Sequence, residues 1–517
     1  MRLVTASFIA CALSVFVPRL AHAAPPAAPV LSVGATDIKQ LQFDWASVPR
    51  SNYYELWFKA NDGAAWIKYT ETPAQKPQIR ISVSIHLLDW RVARYRLAAC
   101  NPSGCTNSNE VTVTDLPLDA MGYLKPSPPT GGDRYYGHAV ALSADGKTLA
   151  AVQAEPVGTA QFVAVVNIYR KTTSTSGWRY EARLVPATTS VGTAALFSGG
   201  GIALTADGNL LALGLPFEAG TGVGAPEEPG AVYLFRRAGT AWHQEQRLQG
   251  DNVNLERFGY AIDLDDAGTM LAVTHGLTTG VAEIYRPTAS GWQHSHTLPV
   301  PTNPNGSAMY CVPISLSGDG RTLFRNCGPG IESDFGIVQV FDTATWAESG
   351  RFAGGNLSSL DSTFDGTRFI VRTTIFNAAV VELDAGVWTR KIFIFNWSGE
   401  DAVNQSVAIS RDGKIAAVGS WIDATGGFGP GYSETLPPRD NPSGTVFVYE
   451  RKSTGWRFRR LVKPATDSAQ RFGQAVALGD QGRILAVGAP TDSSAATGID
   501  GDPTDTSTPN RGAVWLY

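Results

Sequence analysis

Residues 471–490, RFGQAVALGDQGRILAVGAP, decide which fold the sequence predicts. Small or apolar residues alternate along GQAVAL and again along RILAVGA, which is typical of strands with one buried face. The polar turn Gly479–Gly482 separates the two runs, so the stretch predicts an antiparallel hairpin. A third strand-like run, GAVWLY, reaches Tyr517. An apolar edge strand needs partners for its free N–H and C=O groups, so another segment must supply them.

The same hairpin occurs seven times, at intervals of 46 to 69 residues. Most copies are followed by a third strand and then by a strand that begins with Trp. Four short strands with their loops fill such an interval, which is the unit of a propeller blade. Tryptophans spaced this evenly predict a core between blades rather than a binding platform. The turn glycines are Gly146, Gly208, Gly268, Gly320, Gly366, Gly413 and Gly482.

The seventh copy has no fourth strand that begins with Trp. The segment Gly122–Pro126, GYLKP, has the pattern of RLVKP, which follows Trp456. We therefore expect it to pair with GAVWLY and to close the ring. The predicted fold is all-β: a seven-bladed β-propeller over residues 120–517, in which strand 120–126 completes the last blade.

Residues 1–23 are predicted to be a secretory signal peptide. Arg2 precedes the apolar run 3–17, and Ala21-His22-Ala23 is a small-x-small cleavage site. Residues 24–116 contain short alternating strands broken by turn residues, as in a small β-sandwich.

Part of this sandwich carries a family resemblance. Trp45, Trp57 and the strand Tyr95–Asn101 with the following Ser103-Gly104 resemble a fibronectin type III domain. The resemblance covers about ninety residues and implies a spacer or adhesion module.

The propeller repeats also resemble a known family. Phe472-Gly473 and Gly488-Ala489-Pro490 match the FG-GAP repeat, and Phe258-Gly259 repeats its first half. The region resembles the propeller of integrin α-subunits and its exported bacterial relatives. Calcium-binding blades of that family carry a D-x-D-x-D-G loop. Here a single Asp precedes Gly, as at Asp145-Gly146, so these pairs are interpreted as turn formers.

Composition and cysteine usage restrict the class of protein. The net charge is -4 and there is no basic run, which argues against a nucleic-acid partner. The only strongly apolar run is 3–17, so no transmembrane segment is expected. An even number of cysteines beyond the signal favours disulfides in an exported chain.

The spacing of the cysteines indicates their partners. Cys100 and Cys105 flank a tight hairpin tip. Cys311 and Cys327 each lie eight residues from Asp319, at the centre of another hairpin turn. The alternative is buried free thiols. The protein is expected in the periplasm, at the cell surface or outside the cell.

Long loops between the second and third strands of copies two, six and seven predict the functional face. In a closed ring these copies are close together, so their loops would form a one-sided wall. The segment 500–505 has carboxylates at spacings that Ca²⁺ can use, with a solvated loop as the alternative; no resident cofactor is expected. The candidate ligand-binding residues are Trp421, Asp423, Tyr432, Glu434, Asp492, Asp500, Asp502 and Asp505.

The sequence contains no G-x-S-x-G, H-E-x-x-H or P-loop motif, and no catalytic residue is assigned. It favours an exported, non-catalytic binding or adhesion protein whose loop-rich face takes a protein or glycan at a cell surface. One alternative is a carbohydrate-active enzyme, a glycoside hydrolase or lyase, with its site in the propeller channel. Another is a structural component of a cell-envelope assembly. Converging carboxylates in the channel would indicate an enzyme, and small apolar residues a binding protein.

Overall fold

The structure is a computed structural model and is all-β, with two short 3-10 helices, Ile85–Leu87 and Asp480–Gly482, among the residues it describes. No helix in those residues is long and apolar enough to cross a membrane. The predicted signal peptide lies outside them. The described residues are 24–87, 92–114, 121–127, 132, 134–157, 161–173, 176–187, 191–192, 201–218, 229–250, 257–276, 280–302, 305–329, 336–354, 359–374, 377–395, 406–421, 430–432, 444–462 and 470–517.

The chain divides into two compact units. Within the described residues, the first unit comprises 24–32, 43–79 and 94–111. The second comprises 33–42, 80–93 and the described residues from 112 onward.

The described strands between residues 32 and 112 form two sheets. One has the order β1-β2-β5, and the other has the order β4-β3-β6-β7 with β8 also paired to β6. In the first unit, the Trp45 and Tyr54 rings lie 4.9 Å apart, and the predicted Cys100–Cys105 disulfide joins β6 to β7. The strands are β1 Ser32–Asp37, β2 Gln40–Asp44, β3 Tyr53–Lys59, β4 Ile67–Pro73, β5 Gln78–Ser82, β6 Arg94–Asn101, β7 Gly104–Asn107 and β8 Val111–Thr112.

The second unit contains seven antiparallel sheets in its described residues. They are numbered 1 to 7 in the chain order of the repeated hairpin that each contains, and the strand that begins the hairpin is called the first strand of its sheet. In sheets 1 to 5 the strands lie side by side in chain order, and β14 adds a short edge to sheet 1. Sheets 1 to 3 consist of β10 Val140–Leu142, β11 Thr148–Val157, β12 Gln161–Arg170, β13 Arg179–Leu184 and β14 Val191–Gly192; β15 Ile202–Leu204, β16 Leu210–Leu215, β17 Ala231–Ala238 and β18 Ala241–Leu248; and β19 Ile262–Leu264, β20 Leu271–Thr274, β21 Ala282–Thr288 and β22 Gly291–Leu298.

Sheet 6 has the order β31-β32-β34-β35-β33, and sheet 7 has the order β36-β37-β38-β9. Sheets 4 to 7 consist of β23 Tyr310–Leu316, β24 Thr322–Gly328, β25 Ile337–Asp342 and β26 Glu348–Ala353; β27 Leu360–Ser362, β28 Arg368–Thr374, β29 Asn377–Asp384 and β30 Val387–Phe395; β31 Val407–Ile409, β32 Ile415–Ser420, β33 Pro430–Tyr432, β34 Thr445–Lys452 and β35 Gly455–Val462; and β36 Ala475–Gly479, β37 Ile484–Ala489, β38 Ala513–Leu516 and β9 Gly122–Leu124.

The first strands of the sheets contact one another in a closed cycle. The order of contact is β10, β15, β19, β23, β27, β31, β36 and back to β10. Backbone hydrogen bonds between hairpin turns reinforce it: Asp145 N donates to Ala206 O at 3.0 Å, and Asp266 N donates to Gly318 O at 3.0 Å. Short inner strands around one axis, with later strands outside them, make a β-propeller.

The pairing that was predicted to close the ring is present. In the ladder between β9 and β38, Tyr123 lies opposite Trp515 and Leu124 opposite Val514. The rings of Tyr123 and Trp515 are 4.7 Å apart. Tyr517 exchanges two backbone hydrogen bonds with Leu485, at 2.9 and 3.1 Å. The apolar strand β38 therefore has a neighbour on each side.

The tryptophans that begin the fourth strands lie in the cores between sheets, as the sequence predicted. Each packs in a different apolar cluster, and each cluster combines residues of two consecutive sheets. The six are Trp178, Trp242, Trp292, Trp346, Trp388 and Trp456.

Glycines near the ends of second strands meet the glycines that precede the first strands of neighbouring sheets. A Cβ on Gly488 would lie 1.9 Å from the carbonyl oxygen of Gly137, and one on Gly419 would lie 2.0 Å from that of Gly473. No side chain fits at these distances, so glycine is required by the close approach of two backbones.

The Asp-Gly hairpin turns are built by their own side chains. Ser143 Oγ donates to Asp145 Oδ1 at 2.6 Å, and Lys147 N donates to the same oxygen at 2.9 Å. Equivalent pairs occur at Thr205 with Asp207 and at Ser410 with Asp412. Asp oxygens used in this way make Asx-type turns, in agreement with the prediction that these residues are turn formers.

The second predicted disulfide, Cys311–Cys327, joins β23 to β24. The two cysteines are direct partners in the ladder, although the register shifts between Cys311 and Ile314.

Candidate functional site

A cavity of about 210 Å³ lies on the propeller axis and is lined by the first strands of all seven sheets. Its wall has two different sides. At the middle position of the first strand, sheets 1, 2, 6 and 7 carry alanine. Sheets 3 and 5 carry Asp263 and Asp361 at the same position. The four alanines are Ala141, Ala203, Ala408 and Ala477.

Asp263 connects sheet 3 to sheet 4. Its Oδ1 accepts the backbone N–H of Leu264 at 2.9 Å. Its Oδ2 accepts the N–H of Leu316 at 2.8 Å and the hydroxyl of Ser315 at 3.2 Å. Both carboxylate oxygens are therefore hydrogen bonded, one of them to a neighbouring strand.

Asp361 makes the same connection between sheets 5 and 6. Its Oδ1 accepts the N–H of Ser362 at 2.8 Å, and its Oδ2 accepts the N–H of Ile409 at 2.8 Å. Between the two aspartates, the hydroxyl oxygens of Ser315 and Ser362 are 2.8 Å apart. Sheets 3 to 5 thus give the cavity a continuous polar arc.

Arg411, in the hairpin turn of sheet 6, reaches the turn of sheet 3. Its Nη2 lies 2.9 Å from Asp266 Oδ1, and its Nη1 donates to the carbonyl of Ser362 at 3.4 Å. Its own carbonyl accepts the N–H of Phe364 at 2.9 Å. Because sheets 3 and 6 are almost opposite in the ring, this ion pair spans the turn end of the cavity.

The cavity changes the acidity of these groups. Burial raises the pKa of Asp263 to about 7, although the Arg411 charge acts against this rise. Burial also raises the pKa of Asp361 and of Asp266. Burial alone would lower the pKa of Arg411, but the neighbouring carboxylates, Asp266 first, raise it above the usual value.

The cavity therefore combines the two features that the sequence analysis treated as alternatives. Most of its wall is small and apolar, and one arc carries two carboxylates beside a guanidinium. The hydrogen bonds of Asp263 and Asp361 fit a role in joining inner strands, while a carboxyl with a pKa near 7 is also suited to proton transfer.

At the opposite end of the propeller, arginines lie over aromatic rings. Arg471, just before sheet 7, lies 4.7 Å from the ring centroid of Trp421, the first residue after β32. Arg257, just before sheet 3, lies 4.9 Å from Phe217, which follows β16. Both arginines have left-handed backbones, with φ of 51° and 62°. Arg471 is exposed and Trp421 is half-buried, so a cation and an aromatic ring are presented together.

Two predicted ligand-binding residues of copy seven hold the closing strand. Asp492 is buried and its Oδ1 lies 2.6 Å from both Lys125 Nζ and the Tyr123 hydroxyl. Asp500 Oδ1 accepts the N–H of Tyr123 at 3.2 Å, and Asp500 N donates to the Tyr123 carbonyl at 2.7 Å. The copy-seven loop is thus packed along β9.

Asp502 and Asp505 stabilise turns within that loop. Asp502 Oδ1 accepts the N–H and hydroxyl of Thr504 at 2.8 and 2.6 Å. Asp505 accepts the N–H groups of Ala495 and Ser507, at 3.0 and 2.9 Å. Among the described residues, only one cluster of acidic, His or Cys side chains is compact enough to hold a metal, and it contains the disulfide-bonded Cys100. The carboxylates of segment 500–505 do not form such a cluster.

The remaining predicted residues belong to copy six. Trp421 has the contact with Arg471 given above, and Tyr432 is in β33, opposite Leu461 of β35. Asp423 and Glu434 lie outside the described residues.

Asp263, Asp361 and Arg411 were not predicted as site residues from the sequence. A signal for them is present when the seven hairpins are aligned. Aspartate interrupts the alanine position in two copies, and arginine precedes the turn Asp in copy six. The turn glycines alone do not reveal these three residues, because each of them stands beside residues that form an ordinary strand or turn.

No protein-family model and no curated protein matches the chain. Solved structures of similar fold include the periplasmic gluconolactonase PpgL of Pseudomonas aeruginosa, at 14% identity and a TM-score of 0.40, covering 80% of this chain and 98% of that one. Chaetomium thermophilum Sqt1 shows 10% identity and a TM-score of 0.43, covering 76% and 96%. The C-terminal WD40 domain of Sif2 shows 12% identity and a TM-score of 0.41, covering 74% and 97%. At identities and TM-scores this low, the likenesses carry no argument about function.

Proposed function

We propose that the protein is an exported binding or adhesion protein that takes a protein or glycan ligand at a cell surface. In this proposal the seven sheets are the blades of an FG-GAP-like propeller, preceded by a fibronectin type III-like domain. The ligand binds at the face that carries the loops between second and third strands. The two disulfides fit an exported protein.

The observation that carries the proposal is the pair Arg471 and Trp421 at the start of the copy-six loop. An aromatic face suits a sugar ring or an apolar side chain, and an exposed guanidinium suits a carboxylate. Arg471 has a left-handed backbone, and its guanidinium lies over the ring of Trp421, which follows the second strand of the preceding sheet. Arg257 over Phe217 supplies a second cation on the same face.

The proposal is tested with a glycan array and a pull-down from envelope extract, using the mature protein. The Trp421→Ala and Arg471→Ala variants and a variant lacking the copy-six loop are compared with the wild type. Phe364→Ala is the matched control, because Phe364 is 48% exposed in a hairpin turn at the other end of the propeller. We expect the loop-face variants to lose an interaction that the control keeps. Identical profiles for all variants would refute the proposal.

A carbohydrate-active enzyme is the second candidate, and one observation favours it. Asp263, with a pKa raised to about 7, shares a cavity with Asp361. Glycoside hydrolysis commonly needs one protonated and one ionised carboxyl group. If this candidate is right, envelope polysaccharides are cleaved by the wild type and by Trp421→Ala, whereas Asp263→Asn and Asp361→Asn each abolish cleavage. If both aspartate variants still cleave the polysaccharide, Asp263 and Asp361 are not the acid and the base.

A further inference from the structure

Lys125 and Asp492 form a fully buried pair of a primary amine and a carboxyl group. Lys125 Nζ lies 2.6 Å from Asp492 Oδ1, and both side chains have 0% exposure. Asp492 Oδ1 also receives the hydroxyl of Tyr123 at 2.6 Å and the N–H of Ser494 at 3.0 Å. Asp492 Oδ2 is buried without a hydrogen-bond partner among the described residues.

Sheet 2 carries a comparable pair with different chemistry. Glu218 lies three residues after β16, as Asp492 lies three residues after β37. Glu218 is paired with Arg247 at 2.7 Å, and the arginine side chain is 33% exposed. A guanidinium stays protonated and is not a nucleophile, whereas a buried lysine can lose its proton and react. Only in sheet 7, within the described sheets, does a fully buried primary amine contact a carboxyl group in this way.

We propose that Lys125 and Asp492 form an intramolecular amide bond that covalently joins β9 to the segment after β37. The ammonium first passes one proton to the carboxylate, giving a neutral amine and a neutral acid. The nitrogen lone pair then forms a bond to Asp492 Cγ, and the bond from Cγ to the protonated oxygen breaks. The nitrogen loses one proton, and one water molecule leaves. The reaction needs no oxidant, reductant or co-reactant.

The surroundings assist both steps. Burial lowers the pKa of Lys125, although the Asp492 charge acts against this, so the neutral pair costs less than it would in water. Burial, and secondarily the Asp492 charge, raises the pKa of Tyr123. Its hydroxyl therefore stays protonated and can stabilise negative charge that develops on the attacked carboxyl group.

The backbone holds the reacting groups in place. Lys125 N donates to Gly498 O at 2.8 Å, and the Lys125 carbonyl accepts the hydroxyl of Tyr169 at 2.5 Å. Tyr123 is held by Asp500 on its other side. An amine and a carboxyl group fixed at contact distance react as one molecule rather than two, which lowers the entropic barrier.

Tryptic peptide mass spectrometry of the folded, exported protein tests the proposal. Lys125 is followed by Pro126, so trypsin leaves it within peptide 97–134, and Asp492 lies in peptide 484–511. We expect one species with the mass of both peptides less one water, and fragmentation should place the link at Lys125 and Asp492. Recovery of the two peptides unlinked from folded protein would overturn the proposal, as would a link to another carboxyl group. Water loss within peptide 484–511 alone would count as unlinked.

Three variants identify the reaction. Lys125→Arg keeps a cation like that of Arg247 and should yield only separate peptides. Asp492→Ala removes the carboxyl carbon that the amine attacks and should yield only separate peptides. Lys171→Arg, at another buried lysine that lies over the Trp178 ring, is the matched control and should link as the wild type does. Linked peptides in Lys125→Arg would show that the nitrogen comes from elsewhere and would refute the assignment.

Discussion

Asp263 and Asp361 stand where four other sheets have alanine, and this exchange defines the polar arc of the cavity. Burying these carboxylates carries a desolvation penalty. Their hydrogen bonds with backbone N–H groups of the neighbouring inner strands offset part of it. Arg411 offsets part of the charge across the cavity. The balance depends on pH because the acidity of Asp263 is shifted.

The first prediction concerns this pH dependence. The pKa of Asp263 rises from 3.8 to about 7 on folding, so the folded state binds the proton more tightly than the unfolded state. The free-energy penalty of burying the ionised Asp263 is absent below the unfolded pKa of 3.8 and complete above the folded pKa of about 7. Relative to wild type, Asp263→Asn should therefore gain up to about 4 kcal/mol of unfolding free energy between pH 4 and pH 8. Urea unfolding at both pH values measures this, and an unchanged difference would contradict it.

The second prediction concerns Arg411. Its removal leaves Asp266 without its cation and removes the charge that lowers the pKa of Asp263 and Asp361. We expect Arg411→Ala to lower the unfolding free energy by about 2 kcal/mol or more. Arg321→Ala is the matched control: it is 86% exposed, 3.9 Å from Asp319, in the turn of sheet 4. Denaturant midpoints of both variants give the comparison, and equal losses would show that the cross-cavity pair is unimportant.

At the scale of elements, the hairpin was predictable because each part of it has a local cause. Asp145 and its equivalents form the turn with groups only two residues away. The glycines are different, because the reason for Gly488 is the carbonyl of Gly137 on the neighbouring sheet. The family resemblance identified these glycines, but only the packed sheets explain them.

The third prediction follows from that contact. Gly488→Ala should destabilise the protein by about 3 kcal/mol or more, because the backbone of the next sheet must move to admit a methyl group. Gly34→Ala is the control, since nothing lies within 4 Å of its added Cβ. Thermal unfolding followed by circular dichroism compares the two, and a similar melting temperature for both would contradict the explanation.

The contacts of the predicted ligand-binding residues could be foreseen only in part from the sequence. Trp421 was chosen because it precedes a long loop, and its role in ligand binding stays a prediction. The acidic residues of copy seven suggested a ligand site, but Asp492 pairs with Lys125 and Asp500 with the backbone of Tyr123. Their partners come from a segment far away in the sequence, so local charge could not reveal that they hold β9.

At the scale of the whole molecule, the ring depends on one long-range ladder. The match between GYLKP and RLVKP was enough to predict which segments pair, because a fourth strand was missing from one blade only. Aligned hairpins show that Asp263, Asp361 and Arg411 depart from the repeat, but they do not show that these residues meet. That meeting follows only when sheets 3, 5 and 6 stand around one axis.

The fourth prediction tests the ladder. Leu124 has 0% exposure and packs with Val514 and Leu516. We expect Leu124→Ala to cost about 2–5 kcal/mol and to promote association by freeing the edge of β38. Val387→Ala, at a side chain that is 61% exposed in β30, should change stability by less than about 0.5 kcal/mol. Unfolding curves and size-exclusion chromatography measure both effects, and a monomer of unchanged stability would argue against the ladder.

Tyr123 and Trp515 face each other although nearly four hundred residues separate them along the chain. When the strands of the first six sheets have been synthesised, β38, with which β9 must pair, has not yet left the ribosome. The circle stays open during synthesis, and its completion waits for a single late event.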